Sequence, residues 1–114
     1  MKREEVLALI ELARDRGAQA DLRGANLHWA DLREADLRGA NLREANLDFS
    51  CWPLWCGSLT VAIDAQKARQ LAYHLAAVLP DDVQGNWLDG FVEFANGWDG
   101  IARHHLQKIG KGER

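Results

Sequence analysis

The chain has 114 residues with a formal charge of −3, and its 47% apolar and 27% charged residues fit one small soluble domain rather than a disordered tail. The acidic balance argues against a polybasic nucleic-acid binder, whose phosphate affinity needs an excess of Lys and Arg. No apolar run reaches the roughly 20 residues that span a bilayer, and Met1-Lys2-Arg3-Glu4-Glu5 lacks a secretory core, so a cytoplasmic location is expected.

In chain order, residues 2–16 read as an amphipathic helix, with Val6, Leu9, Ile10 and Ala13 on one stripe. A period of five then begins. Ala20, Ala25, Ala30, Ala35, Ala40 and Ala45 each open a copy of Ala-(Asp/Asn)-Leu-X-X, so Leu22, Leu27, Leu32, Leu37, Leu42 and Leu47 are its centres. Five matches neither the helical 3.6 nor the strand period of 2. It suits a chain that turns a corner every five residues, with Ala and Leu pointing into a narrow interior and the other three positions facing solvent. The pattern degrades through Ser50-Cys51-Trp52-Pro53-Leu54 and Trp55-Cys56-Gly57-Ser58-Leu59.

A second helix is expected over 64–79, with Asp64 as N-cap, Ala68, Leu71, Ala72, Leu75 and Leu79 as its stripe, and Pro80 ending it. Further helices are expected from Asp82 to Ala95, stopped by Asn96-Gly97, and from Asp99 to Ile109, stopped by Gly110. Lys111 to Arg114 read as a frayed end. The expected division is thus a capping helix (1–19), a repeat segment (20–63, degenerate after 49) and a helical C-terminal cap (64–114), because a short coil must cover its apolar ends.

The pattern over 20–49 resembles the pentapeptide repeat family, which implies a β-solenoid plus α fold: a right-handed quadrilateral β-helix with four pentapeptides per coil, here about two coils. The segment Phe49 to Val61, together with Arg69 to Leu75, looks like a small phage or prophage class of that family with a helical C-terminal part. That resemblance implies a phage-encoded protein acting in a host cell, in a setting similar to that of anti-CRISPR proteins. Longer relatives that protect DNA gyrase mimic DNA with acidic surface, which implies gyrase binding or scaffolding as the alternative.

No nucleophile–base pair, phosphate-cradling glycine loop or HExxH is present, so neither enzyme activity nor a cofactor is expected. His105 shares a stripe with Trp98, Ile101 and Ile109 and reads as a packing residue rather than a general base. Cys51 and Cys56 lack metal-type spacing and read as small buried hydrophobes, with no metal site. Asp21, Asp31, Glu34, Asp36, Glu44 and Asp48 read as solvated surface interleaved with Arg23, Arg33, Arg38 and Arg43, where neighbouring coils can pair charges. Trp87, Phe91, Phe94 and Trp98 share a helical face that reads as core ahead of partner-binding stripe.

Two groups stand out as candidate partner-binding surfaces. Trp29 and Phe49 occupy the outward last position of repeats four pentapeptides apart, which places them on one face of consecutive coils. Asp81, Asp82, Asp89, Glu93 and Asp99 fall in a stretch without a basic residue, whereas Arg103, Lys108, Lys111 and Arg114 follow. A basic nucleic-acid-binding groove of a host complex is the partner expected for such an acidic end, and direct nucleic-acid binding is not expected.

Overall fold

The structure, a computed structural model, describes residues 1–110; the frayed end expected at 111–114, including Lys111 and Arg114, lies outside the described residues. The chain divides into two units, Met1–Asp64 and Ala65–Arg114.

In the first unit, helix α1 (Arg3–Asp15) presents Val6 and Ile10 to the core, while Leu9, expected on the same stripe, is exposed. Gly17, at φ +65°, ends it: Ala18 N–H reaches back to Ala13 O at 2.8 Å, a six-to-one bond that satisfies a terminal carbonyl. Residues 20–49 then follow one rule five residues at a time. The second-position Asp or Asn carboxyl or amide oxygen accepts the N–H two residues on, as Asp21 does from Arg23 at 3.1 Å and Asn46 from Asp48 at 3.0 Å. The Leu carbonyl accepts the N–H of the next repeat's first residue, as Leu27 O does from Ala30 N at 2.9 Å. The fifth residue of every copy is left-handed: Gly24, Trp29, Glu34, Gly39, Glu44 and Phe49 all lie between φ +60° and +74°. Positive φ at the third residue of a four-residue turn is the type II requirement.

These turns send Leu and Ala inward. The six central Leu residues are buried together with Ala20, Ala30, Ala35, Ala40 and Ala45, and α1 adds Val6 and Ile10 to the same cluster. Full burial of a Leu is worth roughly 1.5–3 kcal/mol each. One outward position does not behave as expected, since Asp48 is buried.

Consecutive passes of the chain are joined by parallel bridges twenty residues apart, Asp21 to Asn41, Asn26 to Asn46 and Asp31 to Cys51. These are single bridges, and among the described residues they do not extend into the strands expected of a β-helix. The corners explain this: each turn consumes the residues that would lengthen a strand.

The register then changes by one. Asn41 bridges Ala62, twenty-one residues on, and Leu37 N donates to Gly57 O at 2.8 Å. One residue has been inserted near Leu54 and Trp55, so the unit from Ser50 to Trp55 is six long. After it the five-residue rule resumes in a frame one residue later than the expected Trp55-to-Leu59 copy. Thr60 takes the left-handed position at φ +58°, and Val61 and Ile63 pack against the core. The Asp64 carboxylate accepts Glu44 N–H at 2.6 Å.

The second unit contains α2 (Ala65–Val78), α3 (Leu88–Ala95) and α4 (Gly100–Arg103). Helix α2 does not bury the expected leucine stripe. Ala72 and Ala76 face Ala95 of α3, with Tyr73, Phe91 and Ile109 around them, while Leu71 and Leu75 are exposed. Small side chains let the two helices approach, so Ala72 of the expected stripe is buried together with Ala76 rather than with Leu71 and Leu75. Helix α3 starts six residues later than expected, after turns at Pro80–Val83 and Gly85–Leu88. Helix α4 stops at Arg103 rather than running to Ile109, because His105 turns left-handed (φ +56°) and Leu106 N bonds back to Ile101 O. Arg69 closes the end of α3 by donating to Phe94 O at 2.7 Å, its guanidinium 4.4 Å from the Phe94 ring.

Leu32→Ala should lower stability by about 2–5 kcal/mol in urea unfolding, whereas exposed Arg43→Ser should change it by less than about 0.5 kcal/mol. Gly57→Ala should cost about 1–3 kcal/mol by overpacking, since a Cβ there would collide with the Trp55 ring and Ala35 O.

Candidate functional site

Trp29 and Phe49 meet as the repeat spacing implies. Their rings stack at 4.6 Å and 12° and are 68% and 54% exposed, and the His28 ring lies 5.5 Å from each. The backbone sets this up: Trp29 N–H donates to Asp48 O at 3.1 Å, which holds the two fifth positions side by side. Both aromatics occupy left-handed backbone at φ +65° and +60°. A left-handed L-residue costs roughly 1–2 kcal/mol, a cost that glycine avoids at the equivalent Gly24 and Gly39. Two bulky apolar side chains thus sit in solvent at positions where the fold favours glycine.

The five acids are distributed differently. Asp81, Asp82, Asp89, Glu93 and Asp99 are all exposed, but Asp99 is bound by Arg103 at 3.1 Å, and Glu93 shares a shallow hollow with Lys108, Asn96 and Ile109. The acidic stretch in sequence is therefore partly offset in space by cations from beyond it.

Of the aromatic series, Trp98 is buried and Phe91 half-buried, while Trp87 and Phe94 are exposed, so only half of the face is core. His105 does not pack with Trp98 and Ile101 as expected; it is exposed at the left-handed end of α4, and His104 instead lies 6.1 Å from the Trp98 ring. Cys51 and Cys56 are free and exposed, not buried. Cys51 occupies an outward second position, and Cys56 opens the 3-10 turn Cys56–Ser58. Among the described residues no group of three His, Cys, Asp or Glu side chains could hold a metal ion.

The repeat surface carries its own electrostatics. Arg33 forks onto Asp31 at 2.9 and 2.8 Å, and Arg38 onto Asp36 at 2.8 and 2.7 Å. From α1, Arg3 donates to Asp31 O at 2.5 Å and Arg14 to Asp36 at 2.9 Å. Arg23 and Glu44, at 3.3 Å, pair across successive passes of repeats. The Arg33 fork holds the Asp31 carboxyl well below the usual range, and the Arg38 fork, aided by Arg14, lowers Asp36 from 3.8 to about 2.

A site missed by the sequence reading lies beside the register change. Arg33, Glu34, Trp52, Leu54 and Trp55 line an open surface cavity of about 570 Å³. Leu54 is 94% exposed, and Trp55 is fixed by its indole N–H to Ala35 O at 3.2 Å. The available signal was the Trp-Pro-Leu-Trp cluster where the repeat degrades.

Residues 19–51 match the family model described as pentapeptide repeats (8 copies). This segment is a run of pentapeptide repeats. No curated protein and no solved structure matches the chain. No helix among the described residues is long and apolar enough to cross a membrane.

Asp36→Asn should flatten the acid limb of the stability profile. The folded-state pKa is depressed, so the contribution of Asp36 is fully present above its unfolded value of 3.8 and is lost as pH falls toward about 2. The amide keeps the turn, as Asn26, Asn41 and Asn46 do, but loses the ionic fork. Urea midpoints between pH 5 and pH 2 should therefore fall less steeply in the variant than in wild type.

Proposed function

We propose that the chain is a non-enzymatic protein-binding module whose contact surface is built on its pentapeptide repeats, and that these adopt the right-handed quadrilateral β-helix geometry. The observation that carries this reading is the Trp29–Phe49 stack: two exposed aromatics held in left-handed backbone, where glycine would fold at lower cost. Rigid, exposed aromatic pairs are the residue types on which binding energy concentrates at protein interfaces. Local rules broken without a folding benefit point to a surface kept for binding.

The resemblance of Phe49 to Val61 and Arg69 to Leu75 supports a phage-encoded inhibitor of a host nucleic-acid machine, with a CRISPR surveillance complex as its specific target. Gyrase protection or scaffolding is the alternative. The exposed acids Asp81, Asp82, Asp89 and Glu93 favour a second mode, in which the second unit occupies a basic groove in place of DNA. Both modes serve the same kind of partner, and they differ in salt dependence, because exposed charges are screened over about 8–10 Å at physiological ionic strength.

Binding of target DNA by a purified CRISPR surveillance complex tests this directly, with gyrase supercoiling as the parallel assay. Wild-type protein should inhibit one of the two, and Trp29→Gly with Phe49→Gly should lose at least about tenfold in potency, as expected for two central aromatic contacts, while retaining its melting temperature. If only Asp82→Lys with Asp89→Lys and Glu93→Lys loses potency, the acidic surface is the contact. Equal potency of both variants with wild type would overturn both contact assignments, and wild-type inactivity in both assays would overturn the target assignment.

A further inference from the structure

The cavity beside the register change has features of a built site rather than a gap between turns. The inserted residue pushes Leu54 and Trp55 out of the five-residue path, so an apolar wall forms where a regular repeat would close onto itself. Trp55 is held by its bond to Ala35 O and by Gly57, where any Cβ would strike the indole. Trp52 packs against the core and faces the same cavity. The Trp55 indole is thus held by its hydrogen bond and the Trp52 ring by core packing before any ligand arrives, which lowers the ordering cost of binding, and Leu54 adds an exposed apolar side chain beside them.

Its charge comes from two neighbours with different commitments. Arg33 is forked onto Asp31 through two hydrogen bonds. Glu34, left-handed at φ +67° and exposed, forms no ion pair among the described residues. Arg38 lies 5.9 Å over the Trp55 ring, so that indole already accommodates a cation; Arg38 is forked onto Asp36 and does not line the cavity. Indole faces attract cations through the ring quadrupole, most strongly where water is partly excluded. A carboxylate at the rim adds to that preference.

We propose that Trp52, Leu54, Trp55 and Glu34 form a binding site for an organic cation with an apolar body, an alkylammonium or a guanidinium group. The site does not depend on the Trp29–Phe49 surface or on the identity of its partner. Its ligand would seat its apolar body against Leu54 and the indoles and its charge toward Glu34.

The test uses the full chain and three near-isosteric probes: choline, neutral 3,3-dimethylbutan-1-ol and anionic 3,3-dimethylbutanoate. N-acetylarginine amide serves as the guanidinium arm. The indole N–H resonances of Trp52 and Trp55 are assigned through Trp52→Phe and Trp55→Phe and followed by NMR titration. Choline or the arginine amide should shift these two resonances and bind about fivefold tighter than the alcohol, with the carboxylate weakest. The arm that binds tighter distinguishes alkylammonium from guanidinium. Glu34→Gln should narrow the preference for the cation over the alcohol while leaving the part due to the indoles, and Leu54→Ala should weaken both alike. Retention of the Trp55 resonance in Glu34→Gln and Leu54→Ala reports that their fold is intact. Tightest binding by the carboxylate would assign the site to Arg33 instead. Equal affinity of wild type for choline and the alcohol, or no shift of either indole at tens of millimolar ligand, would also overturn the proposal.

Discussion

The left-handed fifth residue is the constraint on which the first unit depends. It closes each four-residue turn, and the closed turn directs the next Ala and Leu inward. Passes twenty residues apart can then share bridges such as Asp21 to Asn41. Without positive φ at that position the chain would leave the corner in another direction, and the Leu column would not form. The Asp or Asn at the second position reinforces the same corner by accepting the N–H two residues ahead, which is why the repeat tolerates either residue there but places them so regularly. Only Gly24 and Gly39 meet the backbone requirement without strain. The other four copies bear a cost that the buried leucines and α1 must offset.

Much of this unit could be read from the sequence because a period of five admits few solutions. The Ala and Leu positions give the interior, and the four-repeat separation of Trp29 and Phe49 gives their stacking. The register change could not be read this way. A single inserted residue near Leu54 leaves composition and approximate spacing intact, and it shows in the move of the bridge partner of Asn41 to Ala62 and in the bond from Leu37 N to Gly57 O. Val61-Ala62-Ile63-Asp64 echoes Ala-Asn-Leu, with the larger Val61 at the Ala position and the isomeric Ile63 at the Leu position. The cavity depends on that insertion and was hidden with it.

The second unit was less legible for a different reason. Helical periodicity marks an apolar face, but on α2 the expected stripe through Leu71 and Leu75 and the buried one through Ala76 share Ala72, and hydrophobicity favours the leucines over Ala76. Packing favoured the alanines, since α3 brings Ala95 to the same contact and close approach needs small side chains. Helices α3 and α4 are shorter than their periodicity implies, because irregular turns delay the start of α3 and a left-handed His105 ends α4, signals that sequence patterns register poorly. Charge along the sequence and charge in space differ as well. A run of acids without a cation is acidic in sequence, yet Arg103 reaches Asp99 and Lys108 shares a hollow with Glu93.

The two surfaces that we assign to binding share an origin. Trp29 and Phe49 occupy corners that glycine would serve better, and Leu54 and Trp55 occupy an insertion that a regular copy would not contain. In both places the repeat gives up local consistency, and in both an exposed apolar side chain results. A 94% exposed leucine and a 68% exposed tryptophan bury little apolar surface, so hydrophobic burial does not account for their placement. The regular copies between them supply what such sites need, a backbone rigid enough to hold aromatic rings in place before a ligand arrives. Repetition therefore builds the scaffold, and the departures from it mark the surfaces at which to look for partners.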